Sequence, residues 1–459
     1  MGEQKNTSLT RRSLLKTAAA GAGVSLLATT GATKAAGSRI AAPAFIRNQQ
    51  VKELTVIINS SPWMNGFKAM GDAYEKTSGV KIKLAAFPFN DVFPKERDAA
   101  LNKTNDFDLY TLGESWVAFF YAGGLVRPIK ELDPSFTFDP NVIQYSNLTK
   151  WNAEKKYFTD DGEILGVPQA GIIQLLYYRR DLYEKAGLPL PETWDDAENA
   201  AKELTNKDKP FYGFVNRGTK GDPIAWDWLA HYEGRMTGVV DYFKNPPDDW
   251  TPNMDNEQAL ETLNRYIELA KYAPPNVGDI NQADQINLMA GDKALQTIAA
   301  ASAQSAMDDE QQSVVVGKVD YAVVPKPKDG RHASMSGGFA LGVPKHLPQE
   351  RQDACWEFMK WTMTLEAQIE YLKGGGIPVR TDAYTSDVAQ DPKFRFAKAM
   401  AASANDIHPY FRIPEGPEIR DRLGLRLNQA LVGQMDPAEA LKTANQEATD
   451  ILKKAGYNV

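Results

Sequence analysis

Gly171-Ile-Ile-Gln-Leu-Leu-Tyr-Tyr178 is an apolar run of strand length, and what lies on either side of it decides the architecture. Behind it Thr193 and Asp196 stand at capping-box spacing, with Asp195 and Asp196 in the first helical turn, where acids complement the helix dipole. The same order of strand and then helix has already occurred upstream. Leu54-Thr-Val-Ile-Ile-Asn59 ends at Ser60-Ser61-Pro62, and Phe67, Met70 and Tyr74 fall at helical spacing until Ser78-Gly79. Lys81-Ile-Lys-Leu-Ala-Ala86 and Asp108-Leu-Tyr-Thr-Leu112 read as the next strands. Residue 171 therefore restarts a pattern, which predicts two α/β units built on mostly parallel sheets with both faces covered.

Downstream, Leu260, Leu263, Ile267 and Ala270 form an amphipathic helix closed by Pro274-Pro275. Short strands are expected over 294–299 and 321–324, then Ser336-Gly-Gly-Phe-Ala-Leu-Gly-Val343 and a helix carrying Ala354, Cys355, Phe358, Met359 and Thr362. Gly374-Gly375-Gly376 reads as a helix terminator. Ala438, Leu441, Ala444, Ala448 and Ile451 close the chain on a helix, and no internal repeat or low-complexity tract interrupts it.

The 459 residues are 43% hydrophobic, enough for two domains with large cores. Charge is unevenly spread. Residues 1–36 hold five basic side chains and one acid, leaving 47 basic against 58 acidic residues, a net of −11, which opposes nucleic acid or an anionic membrane as partner. A basic start, a short Ala/Gly-rich apolar run from Ala18 to Leu27 and small residues at Ala35-Ala36 have the plan of an export signal. Thr10-Arg-Arg-Ser-Leu-Leu-Lys16 matches the twin-arginine pattern, an ordinary secretory signal with two arginines being the other reading. Residues 1–36 are thus read as a twin-arginine signal and 37–50 as a polar leader. No cysteine lies near the cleavage region and no apolar run elsewhere approaches the roughly 20 residues needed to span a bilayer, so the expected location is periplasmic, without a lipid anchor.

Most catalytic signatures are missing. His231, His332, His346 and His408 are isolated, Cys355 is the single cysteine, and there is no G-x-S-x-G elbow or P-loop. No metal or cofactor is expected. Glu114, Asp222 and Asp227 leave open a secreted carbohydrate hydrolase with a carboxylate pair. What the loops carry instead is aromatic. Trp63 follows a strand end, Phe87 and Phe89 flank Pro88, Trp116 follows Gly113-Glu114-Ser115, and Trp226 and Trp228 flank Asp227. Ligands of α/β sheets bind at the carboxyl ends of strands, and flat rings suit the C–H faces of sugars while carboxylates and arginines hold hydroxyls. Each ring has core filling as its other reading. Trp151, Trp194, Trp250, Trp356 and Trp361 are assigned to structure.

Several stretches together resemble the extracellular solute-binding proteins of family 1, the sugar-type ABC importer group that includes maltose-binding protein. They are Phe67 to Val80, Asp108 to Trp116, Ala122-Gly-Gly-Leu-Val-Arg-Pro-Ile129, Gly166-Val-Pro168 with Leu176 to Leu182, and Ala186-Gly-Leu-Pro-Leu-Pro-Glu-Thr-Trp194. Met289-Ala-Gly-Asp-Lys-Ala294, Gly337-Gly338-Phe339, Gly376-Ile-Pro-Val-Arg380 and Ala455-Gly-Tyr457 follow in order. The resemblance implies a type II periplasmic binding protein fold, two α/β lobes with hinge crossings and an interlobe ligand cleft. It assigns 51–166 plus about 320–375 to the first lobe and 167–319 plus about 376–459 to the second. A monomer is expected, capturing a sugar or polyol and delivering it to an ABC permease without covalent chemistry.

Carried over position by position, with the loop aromatics added, the ligand-binding set is Trp63, Asn65, Phe89, Glu114, Trp116, Gln169, Gly171, Trp226, Trp228, Gly338, Phe339 and Arg380. Trp63 or Trp116 would stack against Trp226 or Trp228 from the opposite lobe, with Glu114 and Arg380 as polar anchors. Two departures bear on the ligand. Gln169-Ala-Gly-Ile172 lacks the acidic residues many relatives have there, and Ala299-Ala-Ala-Ser-Ala303 lacks an aromatic. Polyol, oligosaccharide and charged organic ligands all stay open.

Overall fold

A computed structural model of the protein describes residues 51–235, 242–404, 406–409 and 411–459. The signal and leader assigned to 1–36 and 37–50 lie outside the described residues. In chain order the strands that build the site are β1 (Glu53–Asn59), β2 (Lys81–Phe87), β3 (Tyr110–Gly113), β4 (Val167–Ala170), β5 (Gln174–Arg179), β6 (Gln296–Ala300), β7 (Val319–Ala322), β8 (Ser334–Met335), β9 (Phe339–Gly342) and β10 (Ile407–His408). The helices around them include α1 (Met64–Ser78), α2 (Phe89–Asn102), α3 (Trp194–Leu204), α4 (Asp222–Tyr232), α5 (Gln282–Ala290), α6 (Gln349–Thr362), α7 (Leu365–Lys373), α8 (Gly416–Leu431) and α9 (Pro437–Lys454).

In the first lobe β1 pairs in parallel with β2, Val56 opposite Leu84, and a Val56–Leu109 bridge brings β3 alongside. Leu54, Val56, Ile57 and Ile58 are all fully buried, as expected for a strand covered on both faces. The helix between β1 and β2 turns Phe67, Met70 and Tyr74 inward, with Phe67 edge-on to Phe358 of α6 and to Tyr371 of α7. It stops where Gly79 adopts φ +76° and donates its N–H to the Glu75 carbonyl, a left-handed cap that costs glycine little. In the second lobe the Thr193 box caps α3 in both directions, and α8 and α9 pack together beside α4.

Strand direction departs from the sequence expectation. β9 runs antiparallel to both β3 and β4, and β5 antiparallel to both β6 and β7. The chain passes back and forth between lobes, so returning strands arrive reversed, and hydrophobic periodicity carries no record of direction. Pairing also moves the lobe boundaries. β4, expected in the second lobe, is laddered to β9 in the first, while β7, expected in the first, is laddered to β5 in the second.

Three segments therefore cross between lobes, at Gly171–Ile173, Ser336–Gly338 and Ile377–Arg380. They are tied to one another: Gly171 N–H donates to Ile377 O at 3.1 Å and Gly337 N–H to Ile172 O at 2.8 Å. Gly171 is obligatory there, because a Cβ would lie 2.0 Å from the Tyr145 hydroxyl and 2.8 Å from the Pro378 carbonyl. Among the described residues no helix is long and apolar enough to cross a membrane.

Candidate functional site

The carboxyl ends of β1, β3 and β6 and the crossings at 172 and 337 surround one cavity of about 320 Å³. From the first lobe it is lined by Asn59, Ser60, Ser61, Pro62, Trp63, Phe89, Gly113, Glu114, Ser115, Trp116 and Phe339. Opposite stand Arg217, Asp222, Trp226, Gln282, Ala300 and Ser302, with Ile172 and Gly337 between the two walls. The cleft lies at strand ends, where α/β sheets leave backbone and loop side chains available to a ligand.

The first wall is an aromatic cluster. Trp63 and Phe339 lie 5.4 Å apart between ring centres, Phe89 and Trp116 5.3 Å, Trp116 and Phe339 6.0 Å, and Phe89 and Phe339 6.4 Å. Gly113 makes the Trp116 position possible, since a Cβ there would come within 2.6 Å of the indole. The indole N–H points away from the cleft and donates to Glu96 Oε2 at 2.9 Å. Burial pushes the Glu96 carboxyl well above the usual carboxylate range, against the pull of the donors Trp116 and Thr111.

The second wall is polar around one ring. Trp226 donates its N–H to Ser336 O at 3.2 Å and carries the Arg217 guanidinium 4.6 Å from its ring centre, a cation–π arrangement. Arg217 bonds the fully buried Asp227 through Nε at 2.9 Å and through Nη2, and Asp227 also accepts the Arg217 backbone N–H and the Gln174 amide. Burial pulls the Arg217 guanidinium down and Asp227 more than restores it, leaving its pKa above the ordinary value. Asp222 is held by Arg420 at 2.7 Å.

Glu114 is a joint between segments. Its carboxylate accepts from Arg412 Nε at 2.6 Å, from the Ser336 hydroxyl and from Gly338 N–H at 3.3 Å. Arg412, only 1% exposed, reaches onward to the carbonyls of Tyr145 and Ser146. Those residues and Asn147 all have positive φ, a left-handed run that non-glycine residues adopt at a cost. A buried arginine accepted by both a carboxylate and this turn offsets that cost and pins the cleft floor to the crossing.

Of the residues selected from sequence, Trp63, Phe89, Glu114, Trp116, Trp226 and Phe339 come together around the cavity, and the others do not. Asn65 faces solvent on α1. Gln169 is 1% exposed within the first-lobe sheet, and Gly171 is spent on the crossing. Trp228 lies two residues past Trp226 on α4, a rotation of about 200°, so it stacks on Tyr232 at 5.0 Å in the core. Gly338 contributes its N–H to Glu114 rather than to the cavity. Arg380 is consumed by Asp382, Asp139 and the Met363 carbonyl. Arg217 takes the arginine position in the cleft, and sequence reasoning missed it, along with Asn59 and Gln282. Asn59 is the last residue of the first predicted strand, which is a usable signal. Arg217 ends an extended segment placed by Val215 N–H donating to Gln296 O, and nothing local marks it.

Glu114, Asp222 and Asp227, the carboxylates of the hydrolase reading, are each engaged by an arginine, Arg412, Arg420 and Arg217 respectively. His231 stacks on Trp194 at 3.6 Å in the core, and burial pushes its pKa well below the usual imidazole value. Among the described residues no group of three or more His, Cys, Asp or Glu is placed to hold a metal ion.

Residues 69–396 match the family model described as bacterial extracellular solute-binding protein. A mannitol-binding protein of Pseudomonas aeruginosa is 26% identical over 378 residues, covering 76% of this chain and 81% of its own. An ABC transporter solute-binding protein of Agrobacterium radiobacter, solved in complex with ribitol, superposes with a TM-score of 0.73 at 24% identity, over 88% of this chain and 100% of its own. One from Agrobacterium vitis with bound D-mannitol gives 0.69 at 25% identity, over 89% and 100%. The fold is the two-lobed periplasmic-binding-protein architecture that the sequence implied.

Proposed function

Because the chain belongs to the bacterial extracellular solute-binding protein family, we propose that it captures a small polyol or sugar between its lobes and delivers it to the permease of an ABC importer. The observation that carries the ligand class is the two-walled cleft. Rings on one side offer flat faces to C–H groups, and Asn59, Arg217, Asp222, Gln282 and Ser302 offer donors and acceptors to hydroxyls. Asn59 Oδ1 is buried without a partner among the described residues, and the Asp227 pair uses Nε and Nη2 of Arg217, leaving Nη1 for a ligand. A volume of about 320 Å³ lies at the low end of the roughly 300–1,000 Å³ usual for ligand pockets, favouring one alditol or monosaccharide over an oligosaccharide. The relatives named for mannitol and solved with ribitol and D-mannitol support the same choice.

Capture follows the closure logic of two lobes on hinge segments, with ligand bonds to both walls favouring the closed state. Export through the twin-arginine route, on the strength of Arg11-Arg12 and the flanking Leu14, Leu15 and Lys16, would place a monomer in the periplasm. Replacing both arginines by lysine should retain the precursor in the cytoplasm on cell fractionation; undiminished export would remove that route.

The ligand assignment is tested by native mass spectrometry of the freshly purified protein, followed by calorimetric titration with ribitol, D-mannitol, erythritol, monosaccharides and maltose. One-to-one binding of an alditol or monosaccharide, without turnover, is expected. Binding of maltose alone, or product formation from a glycoside, would overturn it.

A further inference from the structure

Glu96 lies on α2 behind the aromatic wall with none of its surface exposed. Its Oε2 accepts the Trp116 indole N–H at 2.9 Å and its Oε1 the Thr111 backbone N–H at 2.7 Å. Among the described residues no cation pairs with it, unlike Glu114, Asp222 and Asp227, each of which has an arginine. Burying an acid without a cation is expensive, and a core site under no other demand is better filled by an apolar side chain. The expense falls directly behind the ligand cleft.

Trp116, 5% exposed, stands just before a short helix, and its ring covers Gly113. Contacts with Phe89, Phe93 and Phe339 fix where the ring sits but tolerate several tilts, because aromatic pairs are attractive over a range of angles. A directed N–H···O bond selects one of them. We propose that Glu96 is a positioning residue for ligand binding: by holding the Trp116 N–H inside the lobe, it presents the face of the indole, not its polar edge, to the bound polyol. Both Glu96 partners are donors and its two oxygens accept one each, and a hydrogen bond at the indole N–H polarises the ring toward a more negative face. C–H groups made slightly positive by neighbouring hydroxyls are well matched to it.

This inference rests on the ligand reading above, and a double-mutant cycle separates the two. Calorimetry with ribitol and D-mannitol is run on the wild type, Glu96→Gln, Trp116→Phe and the double variant, with circular dichroism as the folding control. Glutamine has one oxygen where two donors need acceptors, so Glu96→Gln should weaken binding by about tenfold or more when Trp116 is present. In the Trp116→Phe background, where no N–H remains, the same change should matter by less than about twofold.

Equal losses in both backgrounds, or no loss in either, overturn the proposal. Should Glu96→Gln fail to fold, the ultraviolet resonance Raman difference between wild type and Trp116→Phe decides: a strongly hydrogen-bonded indole N–H supports the proposal and a free one contradicts it. A wild type that binds no alditol or monosaccharide overturns the ligand reading and this inference together, whereas a wild type that binds, with Glu96→Gln unchanged, overturns this inference alone.

Discussion

The two walls of the cleft are built from different chemistry and held in place by different forces. In the first lobe, Trp63, Phe89, Trp116 and Phe339 come from strand ends and the loops after them and are placed largely by packing on one another at 5.3 to 6.4 Å, with Trp116 held in addition by its N–H bond to Glu96. In the second, Arg217 and Trp226 are fixed by a buried carboxylate and a backbone carbonyl from a crossing segment. Packing is non-directional and gives a platform, while hydrogen bonds are directional and can tell one hydroxyl pattern from another. On the proposed function, the contrast would assign general affinity for polyhydroxy compounds to the first wall and discrimination among them to the second.

That division can be broken in four places. Arg217→Met has the largest expected effect, since it strands Asp227 as an uncompensated buried charge. Urea unfolding should show a loss of about 3–5 kcal/mol, and alditol binding should disappear. Trp226→Ala removes the ring that Arg217 rides on and the bond to Ser336. Affinity by calorimetry should fall by about 30-fold, near 2 kcal/mol, with selectivity between ribitol and mannitol changed. Gln282 is exposed at the start of α5, so Gln282→Ala should cost binding about 1 kcal/mol, roughly fivefold, while leaving the thermal midpoint unmoved. Phe89, 43% exposed, is the least fixed ring, and Phe89→Ala should weaken all alditols alike by only about two- to threefold. If Phe89→Ala altered selectivity and Gln282→Ala did not, the assignment of roles to walls would be reversed.

How much of this the sequence disclosed follows from the range of the interactions involved. Strand positions, the Thr193 cap, the Gly79 stop and most of the aromatic wall were legible, because each depends on residues within a few positions of one another. The motif order from Phe67 to Tyr457 also carried the two-lobed fold. Strand direction and the crossing points were not legible, since β4 finds its partner β9 some 170 residues later. Arg412 meets Glu114 across a separation of 298 residues, and Asp227 neutralises an arginine that was not on the candidate set. Trp228 shows the opposite error: a residue type that suited the site, on a helix whose rotation turns it to the core.

The most direct test of the account is a crystal structure of the protein with ribitol or D-mannitol. The account predicts the ligand between the lobes, its C–H groups against the face of Trp116, with Arg217 Nη1 and Asn59 Oδ1 each about 3 Å from a hydroxyl oxygen. A ligand lodged instead behind the crossings, in the cavity between Gln144, Asn147 and Tyr157, or touching one wall alone, would contradict it.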